Sequence, residues 1–203
     1  MKALILESYA AFTALFPFVL AVCLSSGGRR TKPLSVLLLT VFAVYIAAVL
    51  SVTGAGTLYD CGIYGLQVRT EQLNLLLFSQ EIDKVAYLQN ILLFVPLGLL
   101  LPLLWPDMRK LKAVFINSLG FSLLLELSQL CNNRCTDVDD LLLNTLGALM
   151  GYGLAKLLLA LLPGLAWQGV QPTRKPWFFI TVMFCGRFLL FHEMGIARLL
   201  YGF

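Results

Sequence analysis

The sequence predicts an all-α fold, a polytopic transmembrane helical bundle of about six spans. Of its 203 residues, 59% are hydrophobic and only 13% are charged, whereas soluble domains average about 25% charged residues. The mean hydropathy is +0.84, and the hydrophobic residues form continuous runs instead of alternating with polar ones as membrane β-strands do. These observations exclude an ordinary soluble domain, a disordered chain and a disulfide-rich mini-protein.

Six hydrophobic runs are long enough to cross a membrane, since about 20 apolar residues span the hydrocarbon core. In chain order, the predicted spans cover residues 4–24, 34–52, 85–105, 113–131, 138–162 and 177–200. Glu7 and the lack of an A-x-A-like site favour an uncleaved first span over a signal peptide. The sixth span is unusual because it contains Arg187, His192 and Glu193. With no internal repeat or long linker, residues 1–203 are predicted to form one domain.

The charges between the spans predict the orientation of the bundle. Loops 25–33, 106–112 and 163–176 are rich in Lys and Arg, whereas loops 53–84 and 132–140 carry an excess of Asp and Glu. Because cytoplasmic loops are enriched in Lys and Arg, the basic loops are predicted to be cytoplasmic and the acidic loops outside. The basic residues occur in twos and threes beside hydrophobic runs, a pattern that does not predict nucleic-acid binding.

The five cysteines fall into two groups. Cys23 and Cys185 lie within apolar runs and are expected to pack as small hydrophobic residues. Cys61, Cys131 and Cys135 are on the predicted outer side, where a disulfide from Cys61 to one of the other two is left open if that side is oxidising. A zinc site is not predicted, because two further ligands are missing, and no cofactor is expected.

Polar residues within the spans concentrate toward the predicted outer ends, which predicts a polar pocket there. Ser122, Glu126 and Gln129 are spaced i, i+4 and i+7 and therefore lie on one helix face. At a rise of about 1.5 Å per residue, Asn144 in the fifth span lies close to the depth of Glu126, and Asn90 is near the outer end of the third. Polar groups are costly in hydrocarbon, so their shared location favours a binding site over scattered structural hydrogen bonds.

A second stripe follows one face of the fifth span, with spacings of three and four residues. Its members are Asp137, Asp140, Asn144, Gly147 and Gly151. The glycines allow close contact with another helix. Asp139 points off the stripe and is expected to be solvated. One alternative to a binding role is that Asp137 caps the fifth helix while Asp140, in its first turn, interacts favourably with the helix dipole. Another is a structural ion pair between Arg134 and Glu126.

These residues resemble the VanZ-like membrane proteins. The first matching block is residues 90–98, which read N-x-x-x-F-x-P-L-G and include Asn90, Pro96 and Gly98. Two further blocks form one long pattern, with Glu126, Gln129, Arg134, Asp137, Asp140, Asn144, Gly147 and Gly151. A fourth segment resembles the family's N-L-x-P-F motif at Asn74, but Leu77 stands where proline is usual. The resemblance covers about residues 73–154, and the first and last spans flank this core.

The resemblance implies a multi-pass protein of the bacterial cytoplasmic membrane. The family is associated with resistance to glycopeptide antibiotics, to teicoplanin more than to vancomycin. These antibiotics bind cell-wall precursors outside the membrane, on the side where the polar pocket is predicted. The resemblance supplies no reaction mechanism.

Three functions are compatible with the residues. The favoured hypothesis is binding of a lipid, a lipid-linked cell-wall precursor or a lipoglycopeptide, with the Arg134 guanidinium on an anionic headgroup. The first alternative is a membrane-embedded enzyme acting on such a lipid, with Glu126 as general acid or base; no metal is expected, although Asp137 and Asp140 could hold Mg²⁺ or Ca²⁺. The second alternative is a lipid or small-molecule transporter, but the inverted repeats and broken helices that would indicate one are not seen in the sequence.

Overall fold

The computed structural model describes residues 2–25, 33–65, 73–79, 83–132, 134, 136–162 and 174–202. Several predicted features lie outside these residues: the interior of the basic loop 25–33, parts of the acidic loop 53–84, Cys135 and residues 163–173 of the last basic loop. The side chain of Glu7 is also outside the description.

The described residues form eight α-helices and one pair of short strands, in agreement with the predicted all-α class. The helices are α1 (Lys2–Ser25), α2 (Pro33–Val52), α3 (Leu58–Tyr64), α4 (Lys84–Leu104), α5 (Leu111–Gln129), α6 (Val138–Leu161), α7 (Pro176–Leu190) and α8 (Glu193–Tyr201). Strands β1 (Leu73–Asn74) and β2 (Thr136–Asp137) pair in parallel. Short 3-10 helices follow α4 (Pro106–Arg109) and extend α5 (Leu130–Asn132).

Four helical segments among the described residues are long and apolar enough to cross a membrane, and they match the second to fifth predicted spans. They are Leu34–Val52, Lys84–Leu104, Leu111–Asn132 and Val138–Leu161. The sixth predicted span is broken, because α7 and α8 meet at 48°, and the pair makes a fifth span only if it is counted as one. The first predicted span lies in α1, where the apolar part Ser8–Cys23 is shorter than a span. The predicted count of six is therefore not confirmed.

Helices α4 and α6 make the most extensive contact in the described structure, and three glycines bring them together. A Cβ atom added at Gly98 would lie 1.8 Å from a main-chain oxygen of α6, and one at Gly147 or Gly151 would lie 2.0 Å from a main-chain oxygen of α4. Only glycine permits this approach of two backbones. Pro96 lies inside α4, which remains helical through it, as membrane helices tolerate.

The two ends of the bundle differ in charge. At the end that we call the basic end, the ammonium of Lys175 pairs with Asp107, and Trp105 Nε1 donates to the main-chain oxygen of Arg174 at 2.8 Å. The Lys175 ammonium holds the pKa of the exposed Asp107 carboxyl below its ordinary value. These contacts bring the second and third predicted basic loops together. The opposite end, where α2 and α5 end and α4 and α6 begin, carries Asp60, Asp83, Asp137, Asp139 and Asp140, and we call it the acidic end.

Aspartates cap the N-termini of α4 and α6, the two helices that begin at the acidic end. Asp83 caps α4, where its side chain accepts hydrogen bonds from the N–H groups of Val85 and Ala86. Asp137 caps α6 by accepting from the N–H of Asp139 at 2.9 Å. A carboxylate at this position satisfies free N–H groups and interacts favourably with the helix dipole. Capping, the alternative considered for Asp137, is therefore present.

Candidate functional site

A cleft of about 630 Å³ opens at the acidic end, between α2, α4, α5 and α6. Six of the residues singled out in the sequence line it, namely Asn90, Glu126, Gln129, Arg134, Asp140 and Asn144. The other two predicted binding residues, Asn74 and Asp137, are not part of its lining. Its volume lies within the range of about 300–1,000 Å³ that is typical of small-molecule sites.

Glu126 lies at the buried end of the cleft, with only 2% of its surface exposed. Its Oε2 atom accepts a hydrogen bond from the main-chain N–H of Asp137 at 3.2 Å, and its main-chain oxygen accepts one from the Thr136 hydroxyl at 3.2 Å. The segment that leads into α6 thus orients Glu126. No ion pair to Glu126 is found among the described residues, so the alternative of an Arg134–Glu126 pair is not seen.

Two amides complete the buried end of the cleft. The Asn90 side-chain amide donates to Asp140 Oδ1, which links the start of α4 to the first turn of α6. The Asn144 amide donates to the Ser122 hydroxyl at 2.9 Å, whereas Asn144 Oδ1 is buried and has no hydrogen-bond partner among the described residues. Because buried polar atoms are nearly always paired, this oxygen marks an acceptor that a ligand or a water molecule can satisfy.

The main-chain oxygen of Thr53 positions two side chains at the rim of the cleft. This oxygen accepts from Gln129 Nε2 at 2.8 Å and from Arg134 Nη1 at 2.9 Å. The Arg134 guanidinium lies against Gly54, where a Cβ would be 2.9 Å from Arg134 Cζ and where φ is +61°. The side chain of Arg134 is exposed, so its remaining N–H groups are available to an anion.

The turn formed by residues 53–56 is a part of the site that sequence reasoning missed. This turn follows α2 directly and packs on the end of α5, where the Asn132 amide donates to Gly54 O at 2.6 Å. A Cβ at Gly56 would lie 2.0 Å from the Ser128 main-chain oxygen. The only sequence signal is the pair of glycines in residues 53–56, immediately after a predicted span.

Asn74 and Asp137 bond to each other beside the cleft. The Asn74 amide donates to Asp137 Oδ2 at 3.0 Å, and the two residues are opposite each other in the β1–β2 pair. Both carboxylate oxygens of Asp137 are thereby engaged, one by Asn74 and one by the cap of α6. No group of three or more His, Cys, Asp or Glu residues suited to a metal is found in the described part of the chain.

The expectation that Asp139 is solvated is wrong. Its side chain is only 2% exposed, because the segment 73–79 folds back over the start of α6. The carboxylate accepts hydrogen bonds from the Phe78 N–H at 3.0 Å and from the Tyr87 hydroxyl at 2.6 Å. Asp139 therefore anchors this segment, a role that its position off the stripe does not reveal.

Apolar side chains are exposed beside the polar ones. Val52 and Leu92 line the cleft and are 72% and 56% exposed. All four residues of the segment 75–78, which we call the apolar loop, are also exposed. The cleft therefore combines buried polar groups with a wall that is apolar and open.

Two cysteines approach each other at the acidic end. Cys61, in α3, and Cys131, after α5, are close enough for their thiols to interact, and α3 packs against the short 3-10 helix that contains Cys131. The four described cysteines are free thiols, and the predicted disulfide remains a prediction. Cys135, the other candidate partner of Cys61, lies outside the described residues.

The sequence model of the VanZ/LLP1 family matches residues 36–159, more than half of the chain. The match runs from α2 to α6 and includes all the residues named above as lining the cleft. It begins before the family resemblance noted in the sequence and takes in the turn at residues 53–56. No curated protein and no solved structure matches the chain.

Proposed function

Because the chain belongs to the VanZ/LLP1 family, we propose that this membrane protein binds the headgroup of a lipid or lipid-linked molecule at the outer face of the bacterial cytoplasmic membrane. The ligand is a membrane lipid, a lipid-linked cell-wall precursor or a lipoglycopeptide. Through this binding the protein contributes to teicoplanin-type antibiotic resistance or to envelope homeostasis.

One observation carries the proposal, namely that the same cleft has a buried polar end and an exposed apolar wall. Glu126 and Asn144 lie at the buried end, whereas Val52 and Leu92 are open to the surroundings of the bundle. A lipid presents matching chemistry, with a polar headgroup next to hydrocarbon chains. A soluble metabolite would use only the polar end and leave the apolar wall to the lipid chains of the bilayer.

Arg134 is suited to the anionic part of such a ligand. It is held at the rim by one hydrogen bond to Thr53 O, and its planar guanidinium can offer further donors to a phosphate or carboxylate. Gly54 leaves room for the guanidinium to lie flat against the main chain.

The charge distribution supports the outward orientation of the cleft. The basic end of the bundle includes Arg109, Lys110, Lys112, Arg174 and Lys175, and the cleft lies at the other end. Because Lys and Arg mark cytoplasmic loops, this arrangement favours a cleft that faces outward, toward cell-wall precursors and their antibiotics.

A second candidate function is that of a membrane-embedded enzyme. It is favoured by the two carboxylates, those of Glu126 and Asp140, that line one cleft. Glu126 would act as general acid or base on a bound lipid. Turnover of a lipid by the wild type that is lost in Glu126→Gln would favour this function over simple binding.

The test is growth inhibition by teicoplanin and vancomycin in a susceptible Gram-positive host that expresses the protein. We expect protection against teicoplanin by the wild type, its loss in Arg134→Ala and Glu126→Gln, and its retention in Asp107→Asn, a carboxylate change at the basic end. Membrane levels of each variant are measured in parallel. Absence of protection by well-expressed wild type would contradict the resistance role. Purified protein that no lipid or lipoglycopeptide stabilises against heat would contradict the binding function itself.

A further inference from the structure

The buried end of the cleft is rich in hydrogen-bond acceptors. Glu126 and Asp140 contribute carboxylates, and Asn144 contributes an amide oxygen without a partner. Glu126 and Asn144 are 2% and 4% exposed, so bulk water does not readily solvate these oxygens.

Donors at this end are few and neutral. The N–H of Asp137 reaches one oxygen of Glu126, and the amide of Asn90 reaches one oxygen of Asp140. Neither contact neutralises a carboxylate, and no ion pair to either acid is present in the described part of the chain. Arg134, the cation of the cleft lining, is at the rim and bonds to Thr53 O. The buried end therefore lacks a donor of positive charge.

From this imbalance we propose that the buried end of the cleft takes a primary ammonium group of the ligand, while the ligand's phosphate lies against Arg134. The inference rests on the proposed function and names the class of headgroup: the phosphate ester of an amino alcohol. A primary ammonium has three N–H donors and no acceptor, which matches the three acceptors of Glu126, Asp140 and Asn144. A trimethylated ammonium has no N–H to offer, and an uncharged hydroxyl leaves the carboxylates unneutralised.

A divalent metal ion fits the same residues less well. No group of three or more His, Cys, Asp or Glu residues suited to a metal is found among the residues that the structure describes, and Asp140 already accepts a hydrogen bond from Asn90. An ammonium needs only one acceptor for each N–H group.

The test is binding of a methylation series of phospholipids to purified full-length protein in detergent. The probes share their acyl chains and differ in the headgroup: phosphatidylethanolamine, its N-methyl and N,N-dimethyl derivatives, phosphatidylcholine and phosphatidylglycerol. Thermal stabilisation gives the apparent affinity for each. We expect affinity to fall at each methylation, with phosphatidylethanolamine bound at least about tenfold more tightly than phosphatidylcholine or phosphatidylglycerol, as the loss of a charged hydrogen bond implies.

Two isosteric variants sharpen the test. Glu126→Gln and Asp140→Asn should reduce the preference for phosphatidylethanolamine over phosphatidylcholine, whereas Asp107→Asn at the basic end should keep it. Arg134→Ala should weaken the binding of all of the phospholipids to a similar degree. The methylation series in the wild type needs no variant, so misfolding of a variant does not remove the test.

Each outcome separates the inference from the proposed function. Equal, Arg134-dependent binding of every phospholipid would overturn the ammonium site and leave the proposed function standing. Stabilisation by Mg²⁺ or Ca²⁺ without lipid, lost in Glu126→Gln, would replace the ammonium by a metal ion. No stabilisation by any of these phospholipids would overturn the ammonium site, and if a lipid-linked cell-wall precursor and teicoplanin also failed to stabilise the protein, the proposed function would be overturned as well.

Discussion

The Tyr87 hydroxyl donates a 2.6 Å hydrogen bond to the buried carboxylate of Asp139, and this contact joins the first turn of α4 to the first turn of α6. The same carboxylate accepts the N–H of Phe78, a residue with a positive φ of 54°. Asp139 thus connects three segments at the acidic end of the bundle. Asp139 thereby anchors the apolar loop at Phe78.

Tyr87→Phe tests this connection with the removal of one oxygen atom. The variant leaves the buried Asp139 carboxylate with one hydrogen bond fewer, and hydrogen bonds to charged groups are stronger than neutral ones, so the midpoint of thermal unfolding in a fixed detergent should fall by several degrees. Tyr64→Phe is the matched control, because the Tyr64 side chain is exposed at the end of α3. Equal midpoints for the two variants would show that the Tyr87–Asp139 contact contributes nothing to stability.

The glycines between α4 and α6 yield a second prediction. Gly147→Ala would place a methyl group 2.0 Å from the Ile91 main-chain oxygen, and a backbone atom cannot move aside as a flexible side chain can. Overpacking of a core typically costs about 1–3 kcal/mol, and the cost here should lie at or above the upper end because two backbones must separate. We expect a large loss of monodisperse protein on size-exclusion chromatography.

Gly153→Ala is the control on the same helix. A Cβ at Gly153 meets nothing within 4 Å, and alanine is favoured over glycine in a helix by about 1 kcal/mol. This variant should be as stable as the wild type or more stable. If Gly147→Ala behaved in the same way, the close α4–α6 contact would be incorrect.

The part of the site that could be predicted from the sequence is the part carried by side chains on single helices. Glu126, Gln129 and Asn144 stand out because a helix has a fixed periodicity and because polar groups in apolar runs are rare. That reasoning predicts which faces are polar and the approximate depth of each residue. The four central spans follow from hydropathy for a similar reason, since the bilayer sets their length.

The features that escaped the sequence depend on the main chain and on long-range folding. Thr53 contributes a carbonyl oxygen that any residue possesses, so its hydrogen bonds to Gln129 and Arg134 leave no sequence signature. Asp139 became buried because a segment about 60 residues earlier in the chain folds over it, and helical spacing does not report such contacts. The break between α7 and α8 lies at His192 and Glu193, two of the residues that make the sixth predicted span unusual, but the sequence does not report the angle of 48° between the two helices.

The turn after α2 supports a third prediction. Gly54→Ala puts a side chain at a φ of +61° and within 2.9 Å of Arg134 Cζ. The left-handed conformation costs an alanine about 1 kcal/mol, and the methyl group displaces the guanidinium from the rim. Binding of anionic lipids should therefore weaken as it does in Arg134→Ala, with a smaller loss of thermal stability than in Gly147→Ala. Gly62→Ala is the control and should bind lipid normally, because the added Cβ meets nothing within 4 Å among the described residues. Unchanged lipid binding in Gly54→Ala would contradict the placement of Arg134.

The contact between Cys61 and Cys131 predicts a specific cross-link. Two neighbouring thiols can form a disulfide when their Cβ atoms come within about 3.5–4.5 Å of each other. Mild oxidation of the purified protein should therefore join Cys61 to Cys131, which peptide mapping by mass spectrometry detects as a loss of two hydrogen atoms from the linked pair.

The Cys135→Ser background removes the competing partner of Cys61. Two further cysteines, Cys23 and Cys185, should remain free to react with an alkylating reagent, because they lie in separate helices of the bundle. The bridge ties α3 to the end of α5, so the oxidised protein should unfold at a higher temperature than the reduced one. A linkage from Cys61 to any other cysteine, or full alkylation of both thiols after oxidation, would show that α3 does not pack against the end of α5 as described.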